Sequence, residues 1–305
     1  MTVAQFRVPV KMKPGTPATG AIRLAGVIQA KTDRSSPRGG KMVERAGRGK
    51  RRGKLLGNHQ RCWIWGRHVV RETLRAGRWT PLELWLADRL PVAELDEARH
   101  LAAARGCTVT VTVTESEQLT KRCRSAEHQG YVARMPPFPY DSPDDLLAPR
   151  PGTPLFVVLD RIQDPFNFGA ILRCADALGV DGVFVDATGQ VEVSSQVARS
   201  SAGAVNHLRI AEAGDLPGVL ARMRREGIAV VAADAEADRE VFDCDLRRPT
   251  AIVIGNEGTG LRPEILAECD ERVRIPQRGH VASLNAAVSA GILLYEAARQ
   301  RAGVR

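Results

Sequence analysis

Three segments of the chain combine polar side chains with turn-forming residues, and each follows a short apolar run. The first runs from Asp160 to Gly169, contains Asp164, Pro165 and Asn167, and leads on to Arg173. Asp164 and Pro165 mark the start of a helix, which Asn167 or Gly169 is expected to cap. Arg173 falls one turn beyond Gly169, within reach of the loop mouth. A helix N-terminus beside an arginine suits an anionic group, although a capped helix with a surface arginine would read the same way. The second segment is Gly255-Asn256-Glu257-Gly258-Thr259-Gly260. Its glycines let a ligand come close to the backbone. The G-x-x-G-x-G spacing is not the dinucleotide fingerprint, and no P-loop lysine follows, which argues against a nicotinamide enzyme or an NTPase. The third is Ile275-Pro276, then Ser283-Leu284-Asn285. Pro276 ends a strand and Ser283 is a natural N-cap for the helix after it. Leu284, Ala287, Val288, Gly291, Ile292 and Tyr295 fall on one face of that helix. The apolar stretch from Leu284 to Tyr295 is shorter than the ~20 residues of a membrane span and reads as a buried helix. Ala286, Ala287, Ser289, Ala290 and Gly291 keep it thin, so something packs against it closely.

The elements that must position these loops follow from periodicity. Strands are expected at 155–159, 182–185, 207–210, 228–232, 251–254 and 272–275, and helices at 167–178, 194–201, 215–226, 263–268 and 284–300. Short apolar strands between amphipathic helices imply an α/β fold with a parallel sheet covered on both faces. The three loops then stand at the C-terminal ends of strands, where open α/β sheets bind ligands. A smaller α/β unit precedes this: helices at 67–76, 92–105 and 115–122, the last with Thr114 as cap, and strands at 82–86, 108–113 and 130–135. Between the units, seven prolines fall within residues 136–154. That density excludes a continuous helix or a central strand. The divisions expected are a basic tail at 1–57, a first domain at 58–137, a proline-rich linker at 138–152 and a second domain at 153–305.

Charge is unevenly placed. Residues 1–57 hold 14 Lys/Arg against Asp33 and Glu44, whereas the remainder is slightly acidic within a total of +9. Such a tail suits a polyanion, most commonly nucleic acid. A solvated or miscalled N-terminus, with a start nearer Met42, and an organellar transit peptide are the competing readings. Cys62, Cys107, Cys123, Cys174, Cys244 and Cys269 have no metal-ligand spacing, which disfavours zinc and disulfide frameworks and fits a reducing cytoplasm.

Taken together and in order, the three segments resemble the three motifs of the SpoU (TrmH-like) RNA methyltransferases of the SPOUT superfamily. The strings are DPFNFGAILRCADALG (164–179), IGNEGTGL (254–261), and IP (275–276) with SLNAAVSAGI (283–292). SSAGA (200–204) resembles the family's middle segment. IWGRHVVRETLRAG (64–77) and HQGYVA (128–133) resemble the ends of the SpoU substrate-binding domain. Two departures are Ala286, where the family often has a β-branched residue, and the length of the basic tail. The resemblance implies a C-terminal chain threaded into a trefoil knot, a homodimer, an RNA substrate, and S-adenosylmethionine as methyl donor; no metal is expected, because the motif loops supply amides and the sequence has no ligand cluster. It implies that the cofactor is held around Gly255, Asn256, Gly258, Ile275, Pro276 and Leu284, with Glu257 orienting a polar group nearby. It assigns Arg173 to the transfer of a methyl group to a ribose 2′-OH. An arginine stays protonated, so its expected role is to stabilise the developing alkoxide and grip a neighbouring phosphate, which itself can take the proton. Asn167 would orient the ribose or Arg173, and Ser283 and Asn285 would complete the site. A substrate-binding domain favours a guanosine of large-subunit ribosomal RNA; transfer RNA, a resistance methylation of ribosomal RNA, and a non-catalytic ribosome-assembly factor are the alternatives.

Overall fold

The computed structural model describes residues 63–104, 109–280 and 283–303. The basic tail, Cys62 and Cys107 lie outside the described residues. A four-stranded sheet comes first: β1 (Trp63–Trp65), β2 (Glu83–Ala87), β3 (Thr110–Thr114) and β4 (Tyr131–Arg134), in the order β1-β4-β2-β3. β2 and β3 are parallel, and β4 runs antiparallel to β1 and β2. Helices α1 (Arg67–Ala76) and α2 (Val92–Ala103) bury Val70, Leu74 and Ala98 with Ile64, Leu84 and Tyr131 on one face. Helix α3 (Ser116–Cys123) sets Leu119 and Cys123 against Trp65 and Val132 on the other. β1 had no counterpart in the periodicity, because three residues are too few to display a period of two. Thr114 closes β3, paired with Ala87, instead of capping α3. Glu115 takes the N-cap place and makes no side-chain cap bond.

The second sheet is all parallel, in the order β10-β8-β9-β5-β6-β7. Its strands are β5 (Leu155–Leu159), β6 (Gly182–Asp186), β7 (Ile210–Ala213), β8 (Ala229–Ala233), β9 (Thr250–Ile254) and β10 (Glu271–Val273). β5 is buried along its whole length and sends alternate side chains to opposite faces. Leu155, Val157 and Leu159 pack with α5 (Pro165–Ala177) and α9 (Ala286–Arg301) through Ile171, Leu172, Leu293 and Leu294. Phe156 and Val158 pack with α7 (Leu216–Arg225) and α8 (Pro263–Ala267) through Leu216, Leu220 and Ile265. α6 (Ser195–Ser200) lies against α5 so closely that a Cβ at Gly169 would fall 1.8 Å from the Ser200 hydroxyl oxygen. β7 starts at Ile210, later than the expected 207. The amides of His207 and Leu208 both bond to the Ala204 carbonyl, closing a 3-10 turn (Ala204–Asn206), so they cannot join the sheet.

The proline-rich stretch is more ordered than a linker. It contains a short helix, α4 (Pro143–Leu147), because Pro143 sits at the first helical position, where its missing N–H costs nothing. Ser142 caps it by accepting from the Asp145 amide at 3.0 Å. Leu146 and Leu147 are buried with Phe156 and Phe184. The backbone of Asp141 bridges to Ala211 alongside β7. These residues are therefore built onto the second sheet.

Candidate functional site

The ends of β8, β9 and β10 open onto a cavity of about 230 Å³. The glycine-rich segment after β9 contributes Gly255, Asn256, Glu257 and Gly258 to it; the chain after β10 contributes Ile275 and Gln277; the approach to α9 contributes Ser283 and Leu284. Gly255 is required there by contact: a Cβ would lie 2.5 Å from the Gly260 carbonyl carbon and 2.6 Å from the Leu261 amide. Asn256 shapes the turn. Its Oδ1 accepts from the amides of Gly258 and Thr259 at 2.9 and 3.1 Å, and its Nδ2 donates to the Arg161 carbonyl at 2.8 Å. Its side chain is thus committed to the loop. Pro276 is half-buried and is not among the cavity-lining residues.

Helix caps decide which side chains are free for the site. Asp164 caps α5 by accepting from the Phe166 amide at 3.0 Å, so neither Asn167 nor Gly169 does so. Asn285 caps α9, accepting from the amides of Ala287 and Val288 at 2.9 and 3.3 Å. Ser283 is therefore not the cap; it precedes the helix and lines the cavity. Asn167, released from capping, donates to Glu257 Oε1 at 2.9 Å and accepts from Asn285 Nδ2 at 2.9 Å. One relay, Glu257–Asn167–Asn285, thereby ties all three expected segments together.

Arg173 is not in this cluster. It is exposed on α5, makes no hydrogen bond or ion pair among the described residues, and does not line the cavity. It lies six positions after Asn167, which turns it roughly 120° around the helix. It shares its face with the exposed Phe166.

Two features were not read from the sequence. Ala233, the last residue of β8, and Asp234 and Ala235 just after it form one wall of the cavity. Their signal was positional only, since they stand at the C-terminal end of the strand beside β9. The other is a buried ion cluster beneath the glycine-rich turn. Asp160 is 0% exposed and Asp186 5%, and both pair with Arg262. Asp160 accepts from Arg262 Nε at 2.7 Å and from its amide at 2.9 Å. Burial on its own would lower the Arg262 pKa; the facing charge of Asp160, and then Asp186, outweighs it and leaves the guanidinium held more firmly charged than usual. This cluster locks the end of the second segment to the start of the first. Among the described residues, no group of three His, Cys, Asp or Glu is placed to hold a metal ion.

The last helix reverses an expectation. Its buried stripe is Ala286, Ala290, Leu293, Leu294 and Ala297, whereas Val288 is 50% and Tyr295 64% exposed, with Ile292 between them. Close packing does occur, because a Cβ at Gly291 would come within 3.5 Å of the Cys174 sulfur on α5.

Residues 154–295 match the SpoU rRNA Methylase family, and residues 63–141 match the RNA 2′-O ribose methyltransferase substrate-binding domain. YacO of Bacillus subtilis (strain 168), named for the TrmH family of tRNA/rRNA methyltransferases, is 34% identical over 80% of this chain and 98% of its own. The chain belongs to the SpoU family of RNA 2′-O-ribose methyltransferases. Among SpoU relatives, the 23S rRNA (guanosine-2′-O-)-methyltransferase RlmB of Shewanella oneidensis is 35% identical over 78% of this chain and 97% of its own. The SpoU methyltransferase AviRb of Streptomyces viridochromogenes, solved with the cofactor AdoMet, superposes with a TM-score of 0.66 at 31% identity, covering 79% of this chain and 90% of that one. The SpoU cofactor is S-adenosylmethionine, and the cavity is suited to it in kind. Ile254, Val273, Ile275 and Leu284 offer apolar walls for a purine, and the glycine-rich turn offers backbone to read its edge.

Proposed function

We propose that this SpoU enzyme methylates the ribose 2′-OH of a guanosine in large-subunit ribosomal RNA. The observation that carries the chemistry is the Glu257–Asn167–Asn285 relay at the mouth of a cavity walled by Gly255, Ile275 and Leu284. The choice of RNA is supported by the likeness to RlmB along nearly that protein's whole length and by the substrate-binding domain ahead of the second sheet.

S-adenosylmethionine supplies a methyl group already activated as a sulfonium. In this reading Gly255, Asn256 and Gly258 hold it through backbone groups, with Ile275 and Leu284 on either side and Pro276 fixing the turn out of β10. Glu257 accepts from Asn167 and so fixes that amide, leaving both groups placed to orient a ribose. Ser283 offers a further hydroxyl at the cavity wall. Arg173 neutralises charge as the ribose oxygen loses its proton, and holds an adjoining phosphate. Because Arg173 and Phe166 face away from the cavity of their own chain, we place Arg173 in the site of a second copy. The exposed stripe Val288, Ile292 and Tyr295 on α9 supplies the apolar surface for that homodimer. The trefoil threading is part of the same reading: after β9 the chain runs out to the sheet edge at β10 and returns as α9, which packs over β9 and α5. We also infer a reducing compartment such as the cytoplasm, supported by free Cys123, Cys174, Cys244 and Cys269.

The test supplies labelled S-adenosylmethionine and, separately, unmodified 23S rRNA and transfer RNA to the purified protein in the presence of a chelator. Chelator-insensitive labelling of one guanosine ribose in 23S rRNA is the expected result. Labelling of transfer RNA alone would replace the substrate. Cofactor binding by calorimetry without labelling of either RNA would favour a non-catalytic assembly factor.

A further inference from the structure

A second cleft, of about 450 Å³, lies where the first domain meets α6. Helix α1 begins there. Its N-cap is Gly66, which has no side chain to cap the first turn. Of the first-turn amides, that of Arg67 bonds to Gln129 Oε1 at 3.1 Å. Those of His68 and Val69 have no intrahelical acceptor, and both residues line the cleft. Gln129 is held in the left-handed region (φ 50°), with its Oε1 on the helix start, which leaves its Nε2 as a donor. Trp65, only 7% exposed, forms another part of the wall, and its buried indole N–H has no hydrogen-bond partner among the described residues. Arg199, from α6, sits 5.7 Å over the Trp65 ring. One of its nitrogens binds Glu127 at 2.6 Å, and its remaining N–H groups are available. Glu127 is the one carboxylate in the cleft lining.

We propose that this cleft is a phosphate site that grips the backbone of the substrate RNA on the first domain's side of the enzyme. A buried indole N–H without an acceptor is costly and rare, and an anion in the cleft would supply one. The positive end of α1 favours negative charge there, and the His68 and Val69 amides have no acceptor within the helix. Arg199 adds a fork that matches phosphate geometry. Since Arg199 and Gln129 come from different domains, a phosphate held between them fixes the register of the RNA relative to the methyl-transfer cavity. The assignment of the phosphate to RNA rests on the proposed function; the anion chemistry does not.

The experiment titrates the full-length protein with an in vitro transcript of large-subunit ribosomal RNA at several salt concentrations. Gln129→Glu keeps the acceptor for the Arg67 amide and places its own anion at the helix start, so the fold is retained while the site is filled. Its RNA affinity is expected to fall about tenfold at low salt, with the salt slope reduced by about one phosphate contact. Trp65→Phe is expected to weaken binding severalfold, by removing the N–H and keeping the ring. Gln118→Glu, the same charge change on the exposed side of α3, should remain within about twofold of wild type. Equal behaviour of Gln129→Glu and Gln118→Glu would overturn the proposal. A second arm compares melting temperatures in potassium phosphate and in potassium chloride of equal ionic strength. Phosphate stabilisation lost in Gln129→Glu, with RNA affinity unchanged, would overturn the RNA assignment in favour of a free phosphate. Should wild type bind cofactor but not this RNA, the substrate reading fails instead. The anion site is then decided by the melting arm, where stabilisation abolished by Gln129→Glu supports it and none overturns it.

Discussion

Asn167 touches both Glu257 and Asn285, while Arg173, on the same helix, touches none of them. In the proposed mechanism that division separates holding from transfer. Arg173→Ala is expected to lower methyl transfer by roughly 10²-fold, the scale of losing one transition-state donor, and to leave cofactor affinity unchanged. Single-turnover transfer and calorimetry measure the two quantities; near-normal turnover would remove Arg173 from the mechanism. Residue types were legible in the sequence because the polar groups of all three segments stood at strand ends. Capping was not. Asp164, Asn167 and Gly169, or Ser283 and Asn285, are each able to cap, and only the folded backbone decides whose oxygen reaches the free amides. The sequence therefore named Asn167 and Asn285 for the site without revealing that Asp164 frees the first or that the second works twice, as cap and as partner of Asn167. Asp234 was invisible because it follows a strand within a run of alanines, with no glycine or proline to mark a site.

At the scale of elements, the glycine-rich turn is held by what lies beneath it. Arg262 joins the end of that turn to Asp160 after β5 and to Asp186 at the end of β6. Arg262→Met keeps most of the bulk, leaves the buried Asp186 without its ion-pair partner, and leaves Asp160 only the longer pair with Arg161 at 3.3 Å. Loss of about 3–5 kcal/mol of stability is expected, read by urea denaturation, together with weaker cofactor binding. Unchanged stability would mean that the carboxylates find water or another cation. Apart from α4, which lay in the stretch read as a linker, the sequence placed the helices and strands of the second sheet within a few residues, because central parallel strands are continuous apolar runs and their helices are amphipathic. It misjudged the faces of α9. A helix lined by both small and large apolar residues has two candidate stripes, and periodicity cannot tell which one meets the sheet. The alanine stripe with Leu293 and Leu294 goes inward because α5 lies close, and Val288, Ile292 and Tyr295 go outward.

In the proposed homodimer, the outward apolar stripe of α9 and the outward arginine of α5 meet a second copy that completes the site. A symmetric dimer makes this testable by mixing. In Gly255→Ala the new methyl would lie 2.5 Å from the Gly260 carbonyl carbon, so the cofactor cavity is spoiled while Arg173 stays intact. Arg173→Ala has the opposite defect. Each variant is expected to be nearly inactive alone, with folding verified by its melting temperature. If Arg173 serves the cavity of its partner, a hybrid dimer contains one complete site: the cavity of the Arg173→Ala chain and the arginine of the Gly255→Ala chain. Random pairing of equal amounts makes about half of the dimers hybrids, so co-expression should restore about a quarter of wild-type activity. If Arg173 serves its own cavity, every site in every dimer carries a defect, and the mixture stays as inactive as its components.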